Sequence, residues 1–135
     1  MKLKQSKFFK KLINSFSKSA IKYSNMVKRV WLIYDLGFDG DYTKLYEWLD
    51  NIGAKECVLG GATFMYDFLT KTEDRDDVFQ ELEHNIPVDN EANPSARIYA
   101  ITKVGDNIIG RFLFGNRKTA PWYGSSHHEA DGEDG

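Results

Sequence analysis

Val30-Trp31-Leu32-Ile33-Tyr34-Asp35 is the stretch from which the fold can be read. Five consecutive apolar, β-branched or aromatic residues end on a carboxylate. Such a run predicts a buried central strand, with Asp35 where that strand leaves the core. The segment Asp35 to Asp41 holds two glycines and three aspartates and reads as a loop, with Asp41 as N-cap of a following helix. In that helix Tyr42, Leu45, Tyr46, Leu49 and Ile52 share an arc of roughly 120°, with Lys44, Glu47 and Asn51 opposite. Gly53 suits its C-terminal stop. A short strand over 54–59 and a Gly60-Gly61 turn lead into a second strand, Ala62 to Phe68. Thr70-Lys71-Thr72-Glu73 has the form of a capping box. The helix after it places Val78, Phe79, Leu82 and Ile86 on one face, and Pro87 stops it. Ala96 to Val104 reads as a strand with Ile98, Ala100 and Thr102 on one face and Tyr99 and Ile101 on the other. Gly105-Asp106 turns it into a last strand, Ile108 to Phe114.

The order is β-α-β-β-α-β with one added strand. Two helices with one apolar face each must cover one face of an antiparallel sheet. The expected class is α+β, a ferredoxin-like sandwich over residues 28–123, between an arm at 1–27 and an acidic, disordered tail at 124–135. Fold order by itself does not specify function.

The net charge of −2 conceals an asymmetry, because residues 1–29 carry nine basic and no acidic residues while 30–135 carry nine basic and twenty acidic ones. At helical spacing, Phe8, Phe9, Leu12, Ile13, Phe16, Ala20 and Tyr23 fall within an arc of roughly 140°. Lys4, Lys7, Lys10, Lys11, Lys18 and Lys22 lie opposite, so residues 4–23 predict a basic amphipathic helix. It lacks the form of a secretory signal. Ser24 and Asn25 break the pattern, and a start at Met26 would leave the domain whole. The arm suits an anionic membrane, a nucleic acid, a partner protein or the chain's own acidic body, and it reads equally as a plain flexible extension.

Several classes are disfavoured. No apolar run approaches the length of a membrane span. The single cysteine, Cys57, allows no internal disulfide, and its default reading is a buried, inert thiol in a cytoplasmic protein. No phosphate-cradling glycine loop and no serine–histidine–aspartate set stands out. His84 falls on the polar face of its helix. His127 and His128 lie in the tail, which cannot hold a catalytic geometry.

Asp35 has two readings. A strand-end carboxylate can ligate a divalent cation or orient water; it can equally accept hydrogen bonds from its own loop. Asp39 and Asp41 stand near it, but the spacing lacks the bidentate glutamate of a calcium loop. Two Asp35 residues meeting across a two-fold axis make a more favourable metal site than one subunit does.

The sequence resembles the small CRISPR-adaptation subunit and its relative, virulence-associated protein D. The likeness spans about residues 28–104. It runs from the strand ending in Tyr34-Asp35, through Asn51-Ile52-Gly53-Ala54 and Gly60-Gly61-Ala62-Thr63-Phe64, to the helix Asp77 to Ile86. It implies a ferredoxin-like homodimer that binds RNA or DNA. In some relatives it implies magnesium- or manganese-dependent phosphodiester cleavage, with Asp35 as the catalytic and metal-binding residue. The acidic body and the acidic loop after Asp35 depart from what a phosphate-binding surface needs.

Arg111, Arg117 and Lys118 alternate with Phe112, Phe114, Trp122 and Tyr123. Basic groups neutralise phosphates and aromatic rings stack on unpaired bases, so Arg111, Arg117, Lys118 and Trp122 form a candidate nucleic-acid surface. Strand alternation offers a plainer account, with Phe112 and Phe114 in the core and Arg111 in water. Two functions follow: a nucleic-acid-binding homodimer with endoribonuclease chemistry at Asp35, or a non-catalytic interaction module whose arm reaches a partner or membrane.

Overall fold

The computed structural model describes residues 26–123 and 134–135. The arm helix expected at 4–23 lies outside them, as do His127 and His128. The elements are β1 (Val27–Asp35), α1 (Thr43–Asn51), β2 (Lys55–Val58), β3 (Gly61–Asp67), α2 (Arg75–Asn85), β4 (Arg97–Val104) and β5 (Asn107–Phe114). The strands form one sheet in the order β2-β3-β1-β4-β5, with every neighbouring pair antiparallel. The molecule is an α+β domain with both helices on one face of its sheet. Among the described residues no helix is long and apolar enough to cross a membrane.

β1 is central, as its composition predicts, but it is not buried on both faces. Val30 and Leu32 are fully buried, whereas Trp31 and Ile33 point to the opposite face and are 37% and 47% exposed. Alternate residues of a strand take opposite faces, and two helices cover only one of them. On the covered side Val30 and Leu32 share one core cluster with Leu45 and Leu49 of α1 and with Val78, Phe79 and Leu82 of α2. Phe64 and Phe68 of β3 and its exit join the same cluster, and Trp48 meets Phe64 edge to face.

The helix ends differ in part from expectation. Tyr42 occupies the N-cap of α1, one residue after Asp41, although the Asp41 carboxylate still accepts the Thr43 N–H at 3.0 Å. That bond, with Lys44 nearby, holds the Asp41 carboxyl below its ordinary range. At the other end Gly53 takes a φ of +73°, its N–H bonds to the Asp50 carbonyl, and the Ala54 N–H reaches back to Leu49. This is the Schellman arrangement, which favours glycine because a Cβ is disfavoured at that φ. The Thr70–Glu73 capping box does not form. Asp74 caps α2 by accepting the Asp77 N–H, and Glu73 turns to Lys28 and the Gly105 N–H instead. An acidic first turn, Asp76 and Asp77, complements the helix dipole.

β5 carries a register shift beside Tyr99, which separates Phe112 from Phe114. Tyr99 stands opposite Phe112, while Ile98, a core residue, stands opposite Phe114. Phe114 is therefore in the core and Phe112 is on the uncovered face, an outcome that plain alternation excludes. Residues 134 and 135, placed by the sequence in a disordered tail, lie against β5, where Asp134 and Gly110 exchange two backbone hydrogen bonds.

Candidate functional site: the open face of the sheet

The face of the sheet away from the helices is built from cross-strand rows. Arg29 stands beside Met65. Thr63, Trp31, Ile101 and Gly110 form the next row, and Gly61, Ile33, Tyr99 and Phe112 the one after. Asp35 and Arg97 close the end. Trp31, Ile33 and Met65 are exposed, and Ile101, Tyr99 and Phe112 are half-buried. Val27 and Ile108 continue the apolar surface toward the opposite end. Cross-strand pairing on one face places these side chains about 5 Å apart, close enough to make a continuous patch.

Polar groups frame the patch and are matched to one another. Arg29 bonds the Thr63 hydroxyl at 3.0 Å. Asp35 is 57% exposed; one carboxylate oxygen accepts the Gly37 N–H at 2.9 Å and the other lies 3.5 Å from the Arg97 guanidinium. Asp35 thus makes the local turn contact and one loose ion pair. Among the described residues no group of three histidine, cysteine, aspartate or glutamate side chains is arranged to hold a metal. Asp41 is engaged at the start of α1, and Asp39 is exposed in the loop.

The most elaborate corner lies over β4 and β5. Phe112 packs edge to face on Tyr99, Arg117 sits over the Phe112 ring at 5.7 Å, and one Arg117 nitrogen reaches both oxygens of Asp134 at 2.7 and 2.9 Å. The Tyr99 hydroxyl donates to the same carboxylate. Burial first, then the hydrogen bond and the charge of Asp134, push the Tyr99 phenol up to about 12, with Arg117 opposing. The bonds from Tyr99 and Arg117 hold Asp134 below the usual carboxylate range. A cleft of about 400 Å³ opens between this corner and Asp35, with Ile33 and Arg97 in its wall.

The structure divides the residues expected to bind nucleic acid. Arg111 lies on the helix side, paired with Asp76 at 2.9 Å and stacked over Phe79 at 5.0 Å. Arg117 lies at the open-face cleft with Asp35. Lys118 and Trp122 are exposed in the segment after β5, where Trp122 packs on Tyr123. Trp31, Ile33, Met65 and Tyr99 form the patch, and sequence reading did not single them out as a site. Its signal was present: two helices leave one sheet face uncovered, and Trp31 and Ile33 fall on the face opposite Leu32. Cys57, expected in the core, is exposed on the short edge strand β2.

Fold and surface together define an α+β domain with an open-faced antiparallel sheet. No family model, curated protein or solved structure matches the chain.

Proposed function

We propose that the protein is a non-catalytic interaction module on a ferredoxin-like scaffold, and that it works by docking an apolar protein segment on the open face of its sheet. The observation behind this reading is the exposure of Trp31 and Ile33 on the central strand, amid Met65, Ile101 and Tyr99. Contiguous exposed apolar surface of this kind marks a site of association in soluble proteins. The order β2-β3-β1-β4, with helices after β1 and β3, supports the scaffold assignment, and β5 extends it past β4. The free thiol of Cys57 accords with a reducing, cytoplasmic compartment.

A second reading, single-stranded RNA or DNA binding by a homodimer with metal-dependent cleavage at Asp35, draws on Arg117 over Phe112 and on the exposed Lys118 and Trp122. Against it, Arg97 and Arg117 each face a carboxylate, which cancels much of the field a phosphate would feel. The test incubates the full chain with single-stranded RNA and DNA oligonucleotides in magnesium or manganese. The module reading expects no cleavage. Cleavage that disappears in Asp35→Asn, with circular dichroism unchanged, would overturn it in favour of the nuclease. In parallel, hydroxyl-radical labelling of Trp31 and Met65 in the full chain should be slower than their exposure in residues 26–123 implies, because the face is occupied. Full labelling at every concentration would show that neither this chain nor a second copy occupies the face.

A further inference from the structure

Resting on that docking reading, we propose that the occupant of the open face is the chain's own segment 4–23, laid across the sheet as a third helix. The first support is position. The described chain begins at Met26, directly before β1, the central strand of the patch. A segment turning back at Ser24-Asn25 meets the middle of the face without crossing an edge. The second is dimension. Twenty residues at about 1.5 Å each make a helix of about 30 Å. The nine residues of β1, at about 3.3 Å each, also span about 30 Å. A helix about 10 Å wide fits within a five-stranded sheet about 20 Å across.

The third is chemistry. The arc of Phe8, Phe9, Leu12, Ile13, Phe16, Ala20 and Tyr23 matches the apolar strip of Trp31, Ile33, Met65 and Ile101. Docked that way, the lysines of the opposite arc face outward, away from Arg29, Arg97 and Arg117 at the edges of the patch. Charge separates this occupant from a second copy of the domain. Residues 1–25 carry seven basic and no acidic residues, while 26–135 carry eleven basic and twenty acidic. Face-to-face pairing of two domains brings like net charges together; the arm brings opposite ones. The short tether also gives the arm an effective concentration on the order of millimolar, which a second chain lacks.

The experiment uses the full chain with labelled methionine and isoleucine methyl groups and protonated phenylalanine rings. Nuclear Overhauser contacts are expected from the Met65 and Ile33 methyls to the rings of Phe8, Phe9 or Phe16, unchanged on dilution. The double variant Phe9→Asp/Phe16→Asp, which alters no described residue, should abolish them and raise the rate of Met65 oxidation by peroxide several-fold. Contacts seen only between differently labelled chains would assign the face to a second copy; the docking reading then stands and this proposal fails. Absence of contacts, with Met65 oxidised equally fast in both proteins, would defeat the proposal and leave the docking reading to a separate partner protein.

Discussion

At the scale of single residues, the most consequential polar contact lies away from the open face. Lys28 is 8% exposed, and its ammonium donates to Glu73 at 2.7 Å and to the Lys103 carbonyl at 2.8 Å. Burial raises the Glu73 carboxyl, but the Gly105 N–H, the Lys28 hydrogen bond and the nearby lysine charges outweigh it and leave the group below its ordinary value. A carboxyl depressed in the folded state adds stability that is complete above its unfolded value of 4.5 and lost as pH falls through the lower folded value. Glu73→Gln should therefore cost about 1–2 kcal/mol at neutral pH, since it weakens the pairing of a buried cation whose partner is itself half-exposed. It should also flatten the loss of urea stability on acidification. A neutral-pH midpoint equal to wild type would mean that the Lys103 carbonyl alone satisfies Lys28. Nothing in the sequence joined Lys28 to Glu73, because the pairing spans forty-five positions. Asp35 was legible as a strand-end carboxylate; that it meets Arg97, sixty-two positions away, was not.

At the scale of elements, β5 shows where pattern reading fails. Strict alternation puts Phe112 and Phe114 on one face and Arg111 on the other. The register shift sends Phe112 out beside Tyr99, Phe114 into the core, and Arg111 to Asp76 on α2. A bulge is a local backbone choice that depends on how two strands pair, so composition carries no mark of it. Gly110 is the element's close-approach residue, because an added Cβ would overlap the Tyr99 hydroxyl. Gly110→Ala should push that ring off Asp134. The phenol stabilises the fold fully below its unfolded value of 10.0, and that contribution is lost as pH rises toward about 12. In the variant the most alkaline tyrosine titration, read by phenolate absorbance and assigned by its loss in Tyr99→Phe, should move back toward 10.0. A titration curve identical to wild type would show that the ring keeps Asp134 by another path.

At the scale of the whole molecule, the described residues seal one face of the sheet and not the other. Leu32→Ala removes a fully buried side chain from the core and should cost about 2–5 kcal/mol in urea unfolding. Ile33→Ala, one residue on, measures what lies over the open face. With the arm seated, Ile33→Ala and Phe9→Ala should couple in a double-mutant cycle by about 0.5 kcal/mol or more. A coupling of zero would leave Ile33 in water.

Much of the architecture follows from the sequence alone. Residue periodicity specified the order of strands and helices, the central place of Val30 to Tyr34 and the apolar faces of both helices, because each depends on local spacing and local backbone preference. The tertiary structure decided which side of the central strand is covered, which cations meet which carboxylates, and on which face the aromatic residues of the last strand emerge. Those outcomes depend on strand register and on contacts between residues far apart in the chain, where no local pattern reaches. The continuous run Val30 to Tyr34 read as a buried central strand, yet two helices have area for only one face. The remaining face, with Trp31 and Ile33 at its centre, is the apolar surface that the two helices leave uncovered.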